Sequence, residues 1–363
     1  MRTIKRIFKI CLMIIVIPLL YFTIVTIHGT IVEYKGPDQI ELDAFGGDNT
    51  VSITDSTINI LIWNIGYAAL GKETAFFYDN GRVFHSGDLP VIMPKNLSDK
   101  NDAGIQDLLR KHPADFFLLQ EVDQYSKRSY YKNQLDSISN VYPTYEAYYG
   151  VNYKVKRIPV PYFEPFNVYG QVDSGIATYS RFASSDALRL QLPGEYDWPY
   201  RIFHLDRCII VNRYDYKDKE LVLINLHLSA YDKGGVIKAQ QMEFLKQLCS
   251  EEYDKGNYVI LGGDWNQCPP DFEYDQLAKT NAAGFSQINI DKNFMEAGWT
   301  WAYDSQIPSN RKLRDPYDED QSFVTILDFF LCSPNVVVND VHVVSTNFEW
   351  SDHQPVMGSF TLK

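Results

Sequence analysis

Tyr258-Val259-Ile260-Leu261-Gly262-Gly263-Asp264-Trp265-Asn266-Gln267 (YVILGGDWNQ) decides how the rest of the chain is read. Its first four residues predict a short buried strand, and Gly262-Gly263 ends that strand at a carboxylate followed two residues later by a carboxamide. Just upstream, Gly256 stops a helical pattern that places Ile237, Phe244, Leu245 and Leu248 on one face. Before that helix, Leu221 to Leu226 (LVLINL) is another strand-like run, and it leads into His227. The same order occurs earlier. Ile58 to Ile65 (INILIWNI) suits a strand buried on both faces and ends at Asn64 and Gly66. A helix capped by Ser98 or Asp99 runs to about Lys111, with Ile105, Leu108 and Leu109 on one side. Phe116 to Leu119 follows as a strand and delivers Gln120-Glu121. Downstream, Val324 to Leu331 (VTILDFFL) carries Asp328, and Val341 to Val344 leads through a loop into Ser351-Asp352-His353. Strands and helices alternate, which indicates an α/β or mixed layered fold. Asp304 to Ser322, polar and holding Pro308, Asn310, Asp315 and Pro316, reads as a surface loop.

With 363 residues, 45% hydrophobic and 22% charged, the chain can bury one large core or two smaller ones, a composition that argues against large-scale disorder. The net charge of -12 is unevenly divided. Arg2, Lys5, Arg6 and Lys9 give the first 32 residues +4, leaving 30 basic and 46 acidic residues, a net -16, for the remainder. That balance argues against tight affinity for a polyanion, which comes largely from Lys and Arg, although a local basic groove is compatible with it. The five cysteines (Cys11, Cys208, Cys249, Cys268 and Cys332) show no short metal-ligand spacing and read as free thiols, buried in the main domain.

Ile10 to Ile27 (ICLMIIVIPLLYFTIVTI) has no charge, and as a helix rising about 1.5 Å per residue it covers roughly 27 Å, close to the hydrocarbon thickness of a bilayer. Pro18 is tolerated in such a helix. The basic flank places the N-terminus in the cytoplasm and the rest of the chain outside. A cleaved signal peptide is the rival reading, but His28-Gly29-Thr30-Ile31-Val32 is a poor cleavage site. The expected organisation is a basic tail (1–9), a single transmembrane anchor (10–27), a tether or irregular edge segment (28–56) and an extracytoplasmic catalytic domain (57–362).

Asn64, Glu121, His227, Asp264, Asn266, Asp328, Asp352 and His353 each end or interrupt an apolar run. Taken singly, each has a bland reading: Asn64 and Asn266 as turn formers, Glu121 and Asp264 as caps, His227 as a core imidazole, Asp328 as a hydrogen-bonding partner. Together they change the odds, because several carboxylates at the ends of buried strands repel one another unless a cation sits among them. Oxygen ligands such as Glu121, Asp352 and Asn64 suit Mg²⁺ or Mn²⁺ better than Zn²⁺.

The ordered set WNIG, LLQEVD, SGIATYSR, NLHLSAYD, GGDWNQ, TILDFF and SDHQPV, spread from about residue 57 to 362, resembles the endonuclease/exonuclease/phosphatase superfamily with its deoxyribonuclease I-like fold. Each motif is short, and the specificity of the match lies in their order and spacing. The resemblance implies a four-layer α/β sandwich, two mixed β-sheets face to face with helices outside. It also implies a metal-dependent hydrolase acting on phosphoric esters, with Glu121 as the principal ligand of Mg²⁺ or Mn²⁺, assisted by Asn64 and Asp352. Asp264 would orient or deprotonate the attacking water, and Asn266 would hold that water or a phosphate oxygen. His227 and His353 would donate to phosphoryl oxygens, with Asp328 fixing His353. Ser174-Gly175 and Ser180-Arg181 match a strand bordering the family's site, while Arg207, Arg128 and Lys72 are further cations that would face a phosphate or form surface ion pairs.

The family motifs give the reaction and leave the substrate open. The aromatic stretch Tyr142 to Tyr169, which holds Lys154, Lys156 and Arg157, reads either as strand packing or as a rim touching a base, a sugar or a membrane. Anchoring and net acidity favour a small or lipid-linked phosphate ester, phospholipid included, over a long nucleic acid. The alternatives are an extracytoplasmic nuclease and an anchored binding module that has lost catalysis. No protein partner is inferred.

Overall fold

Strand and helix positions follow from where the chain places its apolar side chains. The computed structural model describes residues 2–47, 51–230, 232, 234–273, 277 and 288–363. In chain order its first half contains α1 (Arg2–Ile31), β1 (Gln39–Glu41), β2 (Thr57–Asn64), α2 (Lys95–Lys111), β3 (Phe116–Asp123), α3 (Gln134–Ser139), β4 (Glu146–Ile158), β5 (Gly170–Ser180) and β6 (Asp186–Gln191). The second half contains β7 (Cys208–Tyr216), β8 (Lys219–His227), α4 (Val236–Asp254), β9 (Tyr258–Asp264), β10 (Thr300–Ala302), β11 (Asn310–Arg311), β12 (Val324–Thr325), β13 (Asp328–Cys332), β14 (Val336–Val343) and β15 (Val356–Leu362).

Two mixed sheets stack face to face. One has the order β1-β6-β7-β8-β9-β13-β10, the other β14-β15-β2-β3-β5-β4. The two-residue side-chain period assigns each strand's faces. In β2, Ile58, Ile60 and Ile62 point to the space between the sheets and meet Leu221, Leu223, Ile260 and Phe330 from the other side. Leu61 and Trp63, on the opposite face, pack under Ile105, Leu108 and Leu109 of α2 and under α3. Across the molecule, Val222, Ile224, Val259 and Leu261 turn their outer face to Met242, Leu245 and Cys249 of α4. Helix, sheet, sheet and helix make the four layers, and covering both faces of the central strands is why these read as unbroken apolar runs.

Two strand pairs are parallel, β2 with β3 and β8 with β9, and α2 and α4 lie in the respective crossovers. Gly262 lies where the sheets approach closely: a Cβ there would meet Ile62 Cγ2 and a Phe330 ring carbon, both at 2.8 Å.

Some local readings change. The α2 helix begins at Lys95 behind Pro94, so Ser98 is a buried residue inside it and caps nothing. Asp99 instead pairs with Lys95 at 2.8 Å and Lys132 at 2.7 Å. Within the segment read as a tether or irregular edge, β1 pairs with β6 and Phe45 bridges Ala147, so this stretch extends the sheet edges. The run Val324 to Leu331 is not one strand. Its first two residues form β12 against β11, and β13 starts only at Asp328, against β9. Cys208, Cys249, Cys268 and Cys332 are buried free thiols, whereas Cys11 is exposed on α1.

Candidate active site

Strand register gathers the polar residues before any side-chain contact is considered. In the parallel pair β8–β9, His227 lies opposite Asp264, and in the antiparallel pair β9–β13, Asp264 lies opposite Asp328. On the facing sheet, Asn64 ends β2 beside Gln120 of β3, while Asp352 and His353 lie in the loop that enters β15, the other neighbour of β2. The carboxyl ends of both parallel pairs thus open into one cleft, the usual location of sites in α/β sheets. Gly263, the residue before Asp264 in β9, has a backbone that needs glycine. Its φ is 143°, and a Cβ would meet Leu226 O at 2.1 Å. Glu121 reaches the cleft through a bulge. The β3–β5 register shifts between Leu119 and Val122, and Glu121 takes φ 56° while Gln120 turns inward to hydrogen-bond Asn225 Oδ1 at 2.8 Å.

Asp264 is the hub. Its Oδ2 accepts a hydrogen bond from Asn64 Nδ2 at 3.0 Å and lies 3.3 Å from His227 Nε2 and 3.6 Å from His353 Nε2. Its Oδ1 accepts from the Asn266 N–H at 2.9 Å, with Asn266 itself held at φ 49°. Burial opposes the Asp264 charge, but the imidazoles of His353 and His227 and the donors on Asn64 and Asn266 outweigh it, so the carboxyl stays below its ordinary range. His353 Nδ1 pairs with Asp328 Oδ2 at 2.7 Å. Burial again works against the charged ring, yet Asp328 and Asp264 push His353 up to about 10, an imidazolium at neutral pH. His227 behaves oppositely: burial, with Arg207 adding to it, drives it well below its usual value, so it is neutral.

Among the described residues, two charged groups in the same cleft lack a hydrogen-bond partner for one atom each. Glu121 Oε2 and Arg207 Nη1 are both shielded from solvent without a hydrogen bond. Burial raises the Glu121 carboxyl. Burial also raises Asp352, to about 7, with Glu121 adding to the rise and His353 opposing it. An acceptor without a donor beside a second repelled carboxylate is the pattern that a hard cation relieves. The all-oxygen set of Glu121, Asp352 and Asn64 therefore fits Mg²⁺ or Mn²⁺. Asp264, Asp328 and His353 also bring ligand atoms within 4.8 Å of one another, but His353 Nδ1 is committed to Asp328, which makes that cluster a proton-linked one.

This constellation has counterparts. The profile of the Endonuclease/Exonuclease/phosphatase family matches residues 62–353. The chain belongs to that family. As an endonuclease/exonuclease/phosphatase member it is a hydrolase acting on phosphoric ester bonds, and enzymes of this family typically work with a divalent metal. Solved structures with the same fold include an endonuclease/exonuclease/phosphatase from Bacteroides vulgatus, at 14% identity and TM-score 0.51, with 85% of this chain and 99% of that chain covered. A second is humanized D. rerio TDP2, at 13% identity and TM-score 0.51, covering 85% of this chain and 100% of that one. A third is ANGEL2, a 2',3'-cyclic phosphatase bound to adenosine-2',3'-vanadate, at 14% identity and TM-score 0.51, covering 89% and 99%. At these identities the likeness is one of fold. No curated protein matches the sequence.

In this family member the eight expected site residues are brought near one another, seven of them lining a cleft of about 590 Å³ and Asp328 standing behind His353. Ser174, Arg128 and Arg207 line it too. Arg128 is fixed: it pairs with Asp123 at 2.8 Å, donates to Ser174 Oγ and Tyr169 Oη, and lies 3.6 Å from the Tyr67 ring centroid. Arg181 pairs with Asp115 at 3.1 Å, and Lys72 is exposed outside the cleft. Sequence reasoning missed Asn310, whose amide lies 2.9 Å from His353 Nε2. The same Asn310 Nδ2 donates to Asp352 O at 3.3 Å, so the side chain lies between the His353 ring and the backbone that carries Asp352. The signal was the Ser309-Asn310 pair inside a stretch read as surface loop. Ser309 Oγ accepts from the Leu327 and Asp328 N–H groups at 3.0 Å, tying β11 to the start of β13.

Proposed function

We propose that the protein is a membrane-anchored phosphoesterase, dependent on Mg²⁺ or Mn²⁺, that hydrolyses a small or lipid-linked phosphate ester by in-line attack of water. The observation that carries this reading is the presence, in the cleft that holds the Asp264–His353 couple, of an acceptor without a donor (Glu121 Oε2) and a donor without an acceptor (Arg207 Nη1) among the described residues. A cation answers the first and a phosphoryl oxygen the second.

Glu121, Asp352 and Asn64 would hold the cation, which when bound supplies Lewis-acid polarisation of the phosphoryl group and offsets its developing charge. Asp264, ionised and surrounded by donors, orients the attacking water and draws off its proton. Asn266, held by its Nδ2 donation to Leu228 O at 3.0 Å, keeps that water or a non-bridging oxygen in line. His353, kept charged by Asp328, and His227 donate to the phosphoryl oxygens, which stabilises charge as the trigonal-bipyramidal state forms. Arg207 binds the phosphate. Arg207→Ala is expected to raise KM roughly tenfold or more with kcat little changed, since a charge-assisted hydrogen bond contributes about 1.5–3 kcal/mol. Steady-state kinetics on the folded variant checks this, and an unchanged KM would remove Arg207 from substrate binding.

The size of the cleft favours one ester group with its substituents over a duplex. Phe77, Tyr78, Tyr153, Tyr162, Tyr169 and Tyr200 also line it and would offer apolar faces to those substituents. The α1 helix, long and apolar enough to cross a bilayer, would anchor the catalytic domain outside the cytoplasm. The test is full-length protein in mixed micelles, given phospholipids, inositol phosphates and nucleic acids with Mg²⁺ or Mn²⁺. Turnover of a lipid or small ester that stops with chelator is the expected result. Turnover of nucleic acid alone would make the protein an extracytoplasmic nuclease, and binding without turnover would make it an inactive module. Protease digestion of the domain from outside intact cells checks the orientation.

A further inference from the structure

The C-terminal part of α1 does not stand clear of the catalytic domain. The Phe22 ring meets Tyr162 edge-on at 5.6 Å, and Val25 and Gly29 are buried. A Cβ on Gly29 would lie 3.0 Å from Ile202 Cδ1, so the helix and the turn Arg201–Phe203 touch without space between them. Trp198 Nε1 donates to Thr30 Oγ1 at 3.0 Å, and Arg201 Nε to Glu33 Oε1 at 2.8 Å. Contact with the domain therefore includes Phe22, inside the uncharged run that ends at Ile27.

That overlap sets a depth. Lys9 marks the inner limit of the apolar run, and the whole of Ile10 to Ile27 is needed to cover roughly 27 Å of hydrocarbon. The stretch from Phe22 to Ile27 accounts for about 9 Å of that span. Whatever packs against these residues shares their level in the outer leaflet.

Beside that contact, large apolar side chains remain exposed to solvent. Phe84 is 56% exposed, Phe163 67%, Phe166 98% and Trp198 55%. Soluble surfaces rarely group large apolar side chains in this way. Phe84 and Phe163 sit on two loops joined by the backbone bond from Phe163 N–H to Phe84 O at 2.9 Å, and their rings are 5.5 Å apart. Tyr162 links the features: it meets Phe22 of α1, lies 5.8 Å from the Phe84 ring and lines the catalytic cleft. Lys156 and Arg157, both exposed, flank the α1 side of the same edge, where cations suit anionic headgroups.

We infer that Phe84, Phe163, Phe166 and Trp198 form a collar inserted into the outer leaflet beside α1, which seats the cleft mouth against the lipid surface. Immersion of about 5–10 Å is the range reached by interfacial apolar faces, and it matches the level set by Phe22 to Ile27. A cleft held there would receive an ester group directly from the leaflet. The inference rests on the anchor reading given above, and its test separates the two.

Full-length protein carrying Cys11→Ser, which leaves only the buried thiols, is spin-labelled in turn at Phe163→Cys, Phe166→Cys, Ile24→Cys and Asp340→Cys. Asp340 is exposed on β14, at the opposite edge of the sheet from β4. Each sample goes into nanodiscs of phosphatidylcholine and phosphatidylglycerol, and collision rates with oxygen and with a nickel chelate report depth. Labels at 163 and 166 are expected to favour oxygen, as Ile24 does, while the label at 340 favours the chelate. Lipid exposure at Ile24 with water exposure at 163 and 166 would overturn the collar alone. Water exposure at all four positions would overturn collar and anchor together.

Discussion

Asp264→Asn is expected to lower kcat by roughly 10²–10⁴-fold, the contribution of a positioned acid–base group, with little loss of folded protein. All three side-chain groups that approach Asp264 Oδ2 do so through nitrogen: Asn64 Nδ2 at 3.0 Å, His227 Nε2 at 3.3 Å and His353 Nε2 at 3.6 Å. An amide keeps the shape but removes the charge, so it can neither draw a proton from water nor help Asp328 keep His353 cationic. His353→Ala acts on the same unit, and the double variant should therefore cost little more than either single change. Initial rates at saturating substrate, with circular dichroism to confirm folding, check the expectation. Equal rates for variant and parent would exclude Asp264 from the chemistry.

Glu121→Gln is expected to separate stability from activity. In chelator the variant should melt at the parent's temperature or higher, because it removes a buried carboxylate that repels Asp352 and has no donor for Oε2. Saturating Mg²⁺ or Mn²⁺ at about 100 times Kd should stabilise the parent by about 2.7 kcal/mol and leave the variant unmoved. Hydrolysis should fall by roughly 10²-fold or more, corresponding to several kcal/mol of lost charge stabilisation. Thermal melts with and without cation distinguish this from general damage. A cation shift of the same size in both proteins would move the metal site away from Glu121.

Much of this arrangement could be read from the chain before folding. Apolar runs ending in Asn64, His227 and Asp264 became β2, β8 and β9, and the helical spacing of Ile105, Leu108 and Leu109 became the buried face of α2. These features are local, since a strand's faces and a helix's stripe are encoded in the order of neighbouring residues. The aromatic stretch from Tyr142 to Tyr169 could not be resolved in that way, and its residues divide between two places. Tyr142 and Tyr145 pack with Phe117 under the outer helices, whereas Tyr153, Tyr162 and Tyr169 line the cleft.

What the sequence by itself determined is the central strands β2, β3, β8 and β9, the helices between them and the identity of the polar residues at their ends, because burial pattern and turn chemistry are properties of adjacent residues. Only the tertiary structure decided that a bulge turns Gln120 inward to Asn225 while Glu121 enters the cleft, that Asn310 meets His353, and that α1 lies against Tyr162 and Ile202. Each of these depends on a bulge, a register or a docking angle set by groups tens to hundreds of residues apart, and no local periodicity carries that information.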